Sequence, residues 1–331
     1  MFDLNAAETK FAIQAVRRAC QLVKLIQTEL VTPALTKQDR SPVTVADFAS
    51  QALVAKLLEE YFPTDPLVGE EDSTALRQPE ERHTLEQVTR FVSRFIPNTS
   101  PGQVCAWIDQ GGADPARRFW TLDPIDGTKG FLRGDQYAVA LALIVEGQVQ
   151  VGVLGCPNLV EGYRPELSGP GSLGVAVRGA GAWIGSLEGD NANLAPLHVS
   201  GRAHPGQARI LRSFESGHTN VSQIDLFAEA LGVEAEAVRM DSQAKYLVLA
   251  VGEGELYLRL LSPKQPDYKE KIWDQAAGSL LVEEAGGRVS DLQGKPLDFS
   301  AGRQLLNNHG LLASNAHLHQ AALKALDTIR A

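Results

Sequence analysis

Residues Phe119 to Gly130 read Phe-Trp-Thr-Leu-Asp-Pro-Ile-Asp-Gly-Thr-Lys-Gly, an apolar strand running straight into two acids, Asp123 and Asp126. Pro124 stiffens the first acid, and Gly127-Thr128 follow where a helix can start. In that geometry both carboxylates and the Ile125 carbonyl can face one point, offering the hard oxygen ligands that Mg²⁺ takes. The backbone N–H groups of Gly127 and Thr128 then face a phosphate, as helix N-termini do. The same residues also suit an ordinary turn, with Asp and Gly supplying Asx and left-handed geometry.

Three other acids belong beside this segment. Glu70 follows the apolar strand end Leu67-Val68-Gly69, Asp47 falls in the first turn of a helix, and Asp274 follows Trp273 just before another helix. Each has a structural reading too: Asp47 as the acid of a capping box, Asp274 as an N-cap, Glu70 as a solvated loop charge. If the acids converge, their mutual repulsion in a buried site is strongly destabilising without cations, so convergence itself implies metal.

The elements that must position these acids follow from periodicity. Phe11, Ala15, Ala19, Leu22, Ile26 and Leu30 recur at three- and four-residue steps, predicting a long amphipathic helix that ends before Pro33. A second helix is expected from Thr44, paired with Asp47 as a capping box, to Tyr61, and a surface helix from Gln78 to Ser93 that leads into a loop over Pro97 to Gly102. Strand formers fill Arg118 to Leu122, Tyr137 to Val145 and Gln148 to Leu154, the last two joined by Glu146-Gly147 as a hairpin of an antiparallel sheet. The Gly/Pro-rich stretch Arg164 to Gly174 and the polar stretch Gly185 to Pro196 interrupt that pattern, and a boundary is expected between Pro196 and Gln207. Beyond it, helical patterns at Val221 to Leu231 and Gln275 to Ala285 alternate with short strands at Ala208 to Leu211, Leu256 to Leu260 and Leu311 to Ala313, the texture of an α/β layer.

Composition bounds the function. The 331 residues leave room for two domains, and 44% hydrophobic with 21% charged residues is globular. A net charge of −9 disfavours bulk-charge binding to nucleic acid or anionic membrane. Three widely spaced cysteines are too few for a disulfide framework and read as buried thiols. With no secretory leader pattern and no apolar run of spanning length, a soluble cytoplasmic protein is expected, with no nucleic-acid polymer and no membrane as partner.

The string Asp123-Pro-Ile-Asp-Gly-Thr128, followed in order by Trp273-Asp274 and Glu284-Ala-Gly-Gly287, resembles the signature pair of the lithium-sensitive, magnesium-dependent phosphatase superfamily that includes inositol monophosphatase. The longer strings through Gly134, Gly155-Cys-Pro-Asn-Leu159, Asp241-Ser-Gln-Ala-Lys-Tyr246 and Lys269-Glu-Lys-Ile-Trp-Asp274 are similar to its 3′(2′),5′-bisphosphate nucleotidase branch, with Glu161 to Ser172 and Leu305 to Gly310 matching least. The resemblance implies an α/β fold, a layered α-β-α-β-α sandwich with an N-terminal α+β part over 1–200 and a C-terminal α/β part over 201–331. It implies that Glu70, Asp123, the Ile125 carbonyl, Asp126 and Asp274 hold two or three Mg²⁺ ions, while Asp47 and the Thr128 hydroxyl orient and activate the attacking water.

The resemblance also assigns the substrate side to Gly127, Thr128, Glu215, His218, Ser242, Lys245, Arg259 and Asp274. Without it, Lys245 and Arg259 read as surface charges on a helix and a strand, His218 as a loop histidine, and Lys129 and Arg133 as charges balancing the acids. The implied reaction is hydrolysis of the 3′-phosphate of adenosine 3′,5′-bisphosphate to AMP, with 3′-phosphoadenylyl sulfate as a second substrate, in a monomer linked to sulfur metabolism. The competing readings are an inositol phosphate phosphatase, which shares the metal chemistry, and a nucleotide sensor without turnover, which has no use for a water activator.

Overall fold

A computed structural model of the chain describes residues 2–31, 41–160, 164–165, 169–189, 193–214, 221–262 and 265–329. Helix α1 (Ala7–Leu30) carries the apolar stripe expected of it, burying Phe11, Ala15, Ala19, Leu22 and Ile26. Helix α2 spans Ser41–Tyr61 and so begins before Thr44. Pro42 explains the earlier start, since its fixed φ and missing N–H suit a first helical turn. Thr44 and Asp47 therefore lie inside α2, and Asp47 is not a capping acid.

Strand β1 (Leu67–Gly69) follows, then α3 (Arg82–Ser93) and α4 (Pro101–Asp109). Helix α4 replaces part of the expected loop. Pro101 occupies its first turn, and Ser100 and Gln103 form a reciprocal capping box. Strand β2 (Arg118–Asp126) continues through both acids to α5 (Thr128–Arg133). The hairpin β3 (Ala138–Val145) and β4 (Gln148–Cys156) turns at Glu146 and Gly147, both with positive φ. A short ribbon, β5 (Leu159–Val160) with β6 (Arg164–Pro165), precedes β7 (Ser172–Val177), β8 (Gly181–Ser186) and β9 (Ala195–Pro196). The first sheet has the order β1-β2-β3-β4-β7-β8-β9. It is antiparallel except where β1 runs parallel to β2, so it is a mixed sheet.

The second sheet draws on β10 (Ile210–Arg212), β11 (Val238–Arg239), β12 (Leu256–Arg259), β13 (Arg288–Ser290) and β14 (Leu311–Ser314), in the order β11-β10-β12-β14-β13. Its helices are α6 (Val221–Leu231), α7 (Ala244–Ala250), α8 (Ala276–Glu284) and α9 (His319–Ile329).

Strand alternation explains the layers. On β3, Val139, Leu141 and Leu143 join the core under α1 and α2. The intervening Ala138, Ala140 and Ala142 face α7, α8 and the inner side of the second sheet. The outer side of that sheet, with Ile210, Leu258 and Leu312, is covered by α6 and α9 through Phe227 and Leu326. The order is thus α-β-α-β-α, and each buried Val or Leu contributes roughly 1.5–3 kcal/mol. The small residues facing α8 let it lie close: a Cβ on Gly152 would meet the Ala277 carbonyl oxygen at 2.9 Å. All three cysteines are buried and free. Among the described residues no helix is long and apolar enough to cross a membrane.

Candidate active site

The end of β2 sets the geometry. Gly69 pairs with Leu122 across the parallel β1/β2 ladder, so the next residues, Glu70 and Asp123, emerge side by side. The β2/β3 register shifts between Asp123 and Asp126, releasing the chain into Gly127. Gly127 takes φ +91° and begins α5, placing Thr128 and Lys129 on the cavity wall. From the other sheet come the loop Asp241-Ser242 ahead of α7 and Asp274 ahead of α8. Together they line a cavity of about 360 Å³.

The acids act on one another. Asp123 is pushed well above the usual carboxylate range by burial and then by the charges of Glu70, Asp126, Asp274 and Asp47. Asp274 is raised by burial and by Asp126, against the pull of Arg259. Glu70 is exposed to solvent yet lines the cavity, where partial desolvation, Glu71 and Asp126 push it up to about 7. Asp47, 7% exposed, is raised by burial and by Glu71 and Glu70. It is not on the cavity wall but stands within electrostatic reach of the acids that are. Asp126 is raised by burial, against Lys245, Arg259 and the Gln243 N–H that donates to its Oδ2 at 2.6 Å.

These groups suit a hard divalent cation. Asp123 Oδ1 is buried with no hydrogen-bond partner among the described residues, an acceptor held open beside three other carboxylates. Among the described residues no three His, Cys, Asp or Glu side chains make a metal cage by themselves. Mg²⁺ seldom uses one, since it keeps several waters and completes its shell with substrate phosphate oxygens.

A second wall is cationic. Lys245, 3% exposed, donates from Nζ to Ser213 Oγ at 3.1 Å and lies 5.1 Å from the centre of the Tyr257 ring. Burial lowers its pKa to about 8. Arg259 donates from Nε to Glu270 Oε1 at 3.0 Å, and Glu270 in turn accepts from Gln275 Nε2 at 2.8 Å. Neither cation is a surface charge.

Glu70, Asp123, Ile125, Asp126, Gly127, Thr128, Ser242, Lys245, Arg259 and Asp274 all line the one cavity. Asp274 is not an N-cap, because Gln275 holds that position on α8. Glu215 and His218 lie outside the described residues. Lys129 lines the cavity, whereas Arg133 braces its edge by an ion pair to Asp241. Sequence reasoning missed Ser213, Tyr257, Tyr268 and Lys271 on the wall. It also missed Gln51, whose side chain donates to Glu71 O at 2.6 Å and accepts from Glu71 N at 3.1 Å, fixing the backbone beside Glu70. The sequence does carry one signal for Gln51: on a helix it lies one turn after Asp47, on the same face.

The chain belongs to the inositol monophosphatase family, whose profile matches residues 5–330, and its class is that of a phosphatase. It is 43% identical to a 3′(2′),5′-bisphosphate nucleotidase of Schizosaccharomyces pombe, over 96% of this chain and 94% of that protein. It is also 43% identical to an Oryza sativa protein of the same name, over 97% of this chain and 94% of that one. Among solved structures, it resembles an IMPase of Thermotoga maritima with a TM-score of 0.64 at 19% identity, over 98% of each chain. Mycobacterium tuberculosis SuhB gives 0.62 at 22% identity, over 96% of this chain and 94% of that one. These two likenesses show the fold.

Proposed function

We propose that this site hydrolyses the 3′-phosphate of adenosine 3′,5′-bisphosphate to AMP and phosphate, and that 3′-phosphoadenylyl sulfate is a second substrate. The observation that supports the reading is the charge arrangement: four carboxylates share one cavity with the buried Lys245 and the half-buried Arg259, a set suited to a substrate carrying two phosphates. The names of the 43% identical relatives support it.

In this reading Glu70, Asp123, Asp126, Asp274 and the Ile125 carbonyl hold Mg²⁺, two or three ions per site. The cation supplies the positive charge that the transferring phosphoryl group requires. Asp47 and the Thr128 hydroxyl would orient the attacking water, with the Asp47 carboxylate as the group that accepts its proton. The N–H groups of Gly127 and Thr128 face the 3′-phosphate. Lys245 and Arg259 hold the 5′-phosphate by charge-assisted bonds, and Ser242 orients the nucleotide beside them. Li⁺ would be expected to inhibit if it can take the place of one Mg²⁺.

The test is a substrate panel. Specificity constants for adenosine 3′,5′-bisphosphate, adenosine 3′-monophosphate and inositol 1-phosphate should rank in that order. Inositol 1-phosphate as the best substrate would overturn the nucleotide assignment and leave the phosphatase chemistry in place.

A further inference from the structure

Arg303 lies outside the cavity wall, yet its guanidinium reaches both chain segments that deliver acids from opposite halves of the molecule. Nη2 donates to Gly69 O at 2.5 Å, on the residue before Glu70. Nη1 donates to Ala113 O at 2.9 Å and Gly111 O at 3.2 Å, in the segment after α4. That segment is itself tied to β1, because Gly69 N donates to Gly111 O at 2.8 Å. The guanidinium lies 5.1 Å from the centre of the Trp273 ring, on the residue before Asp274. The Arg303 backbone carbonyl accepts from Ile272 N at 3.2 Å, so the same residue holds the segment ahead of α8 by two routes.

We propose that Arg303 is a positioning residue that clamps the Glu70 and Asp274 segments together, fixing the separation of two metal-holding carboxylates contributed by different halves of the chain. The inference rests on the metal-site reading above. Its physical basis is opposition. Glu70 and Asp274 line the same cavity, and like-charged carboxylates brought together there repel each other. Coulomb repulsion alone therefore drives the two segments apart before a cation arrives. The hydrogen bonds of Arg303 go to carbonyl oxygens, not to these acids, so it holds them in place without neutralising them. Only a planar fork can do this, donating in two directions along its edge while its face lies on an indole. A lysine keeps the charge but gives one point of attachment.

The test compares wild type with Arg303→Lys and Arg303→Ala, using Mn²⁺ as the probe and isothermal calorimetry as the readout, at temperatures where circular dichroism shows each variant folded. Both variants should bind Mn²⁺ at least about tenfold more weakly, as loss of a group that orients metal ligands does elsewhere. Activity should need correspondingly more Mg²⁺, with kcat recovering at saturating cation and KM for the nucleotide nearly unchanged. A merely structural role lowers the melting temperature and leaves the cation affinity of the folded protein alone. If Arg303→Ala does not fold, Arg303→Lys decides. A folded variant that binds Mn²⁺ within about twofold of wild type would overturn the clamp. Wild type that binds the cation and leaves the nucleotide intact would overturn the nucleotidase reading only, and wild type that binds no cation would overturn both.

Discussion

The backbone N–H of Gln243 donates to Asp126 Oδ2 at 2.6 Å, joining the loop ahead of α7 to the end of β2. The two loops touch again one residue away. A Cβ on Gly127 would stand 2.8 Å from Ser242 Cβ, and both residues hold positive φ, +91° and +66°. Left-handed backbone at a non-glycine such as Ser242 is strain that the surrounding contacts must hold.

Gly127→Ala should therefore be costly twice. Alanine in the left-handed region costs roughly 1–2 kcal/mol, and the clash with Ser242 adds to it. Because Asp126 and Thr128 flank the position, a shift of about 1 Å should also lower kcat about a hundredfold. Thermal unfolding and turnover of this one variant check both.

Asp47→Asn should lower kcat by ~10²–10⁴-fold, the range for a lost general base. Since Asp47 lies inside α2 and caps nothing, no capping energy is lost. The metal-free melting temperature should stay level or rise, because the buried carboxylate is repelled by Glu71 and Glu70. Near-normal kcat would remove Asp47 from the mechanism.

Arg259→Ala should cost roughly 1.5–3 kcal/mol in kcat/KM for adenosine 3′,5′-bisphosphate, about a ten- to hundredfold loss, and far less for adenosine 3′-monophosphate. It also strands Glu270, 4% exposed, without its ion pair, which should cost about 3–5 kcal/mol of stability. The double variant Arg259→Ala with Glu270→Gln should recover part of that stability and none of the substrate discrimination. Equal losses on all substrates would contradict the phosphate contact.

The pH dependence has a fixed sign. Glu70 titrates near 7 in the folded protein against an ordinary 4.5, so between those values the folded state binds more protons than the unfolded. Its contribution to metal-free stability is present below about pH 4.5 and is lost as pH rises through 7. Mg²⁺ competes with those protons, so the rise in melting temperature on adding it should grow from pH 5 to pH 8. Glu70→Gln should flatten that growth. Differential scanning calorimetry with and without Mg²⁺ measures it.

Legibility in the sequence followed the kind of constraint. Helix α6 was readable to its ends, and α1 nearly so, because each presents one apolar face and so shows a clear period. Helix α7 was not, because all seven of its residues are buried between the two sheets and no stripe distinguishes a face. For the same reason Lys245 read as a surface charge. Strands β7 and β8 were hidden by the Gly/Pro-rich and polar stretches around them. The acids of the site were visible from Asp123 and Asp126 onward as residue types at strand and helix ends. Arg303 was not, and Gln51 showed only in its helical spacing from Asp47, since their hydrogen-bond partners are backbone carbonyls and amides brought near by the tertiary fold, and any residue type supplies those.

The most direct test of the account is the fate of adenosine 3′,5′-bisphosphate incubated with the purified protein, its products separated by chromatography with and without Mg²⁺. The account predicts equimolar AMP and inorganic phosphate with Mg²⁺, and neither after chelation of divalent cations. Release of the 5′-phosphate to give adenosine 3′-monophosphate, or undiminished AMP formation in the chelated protein, would contradict it.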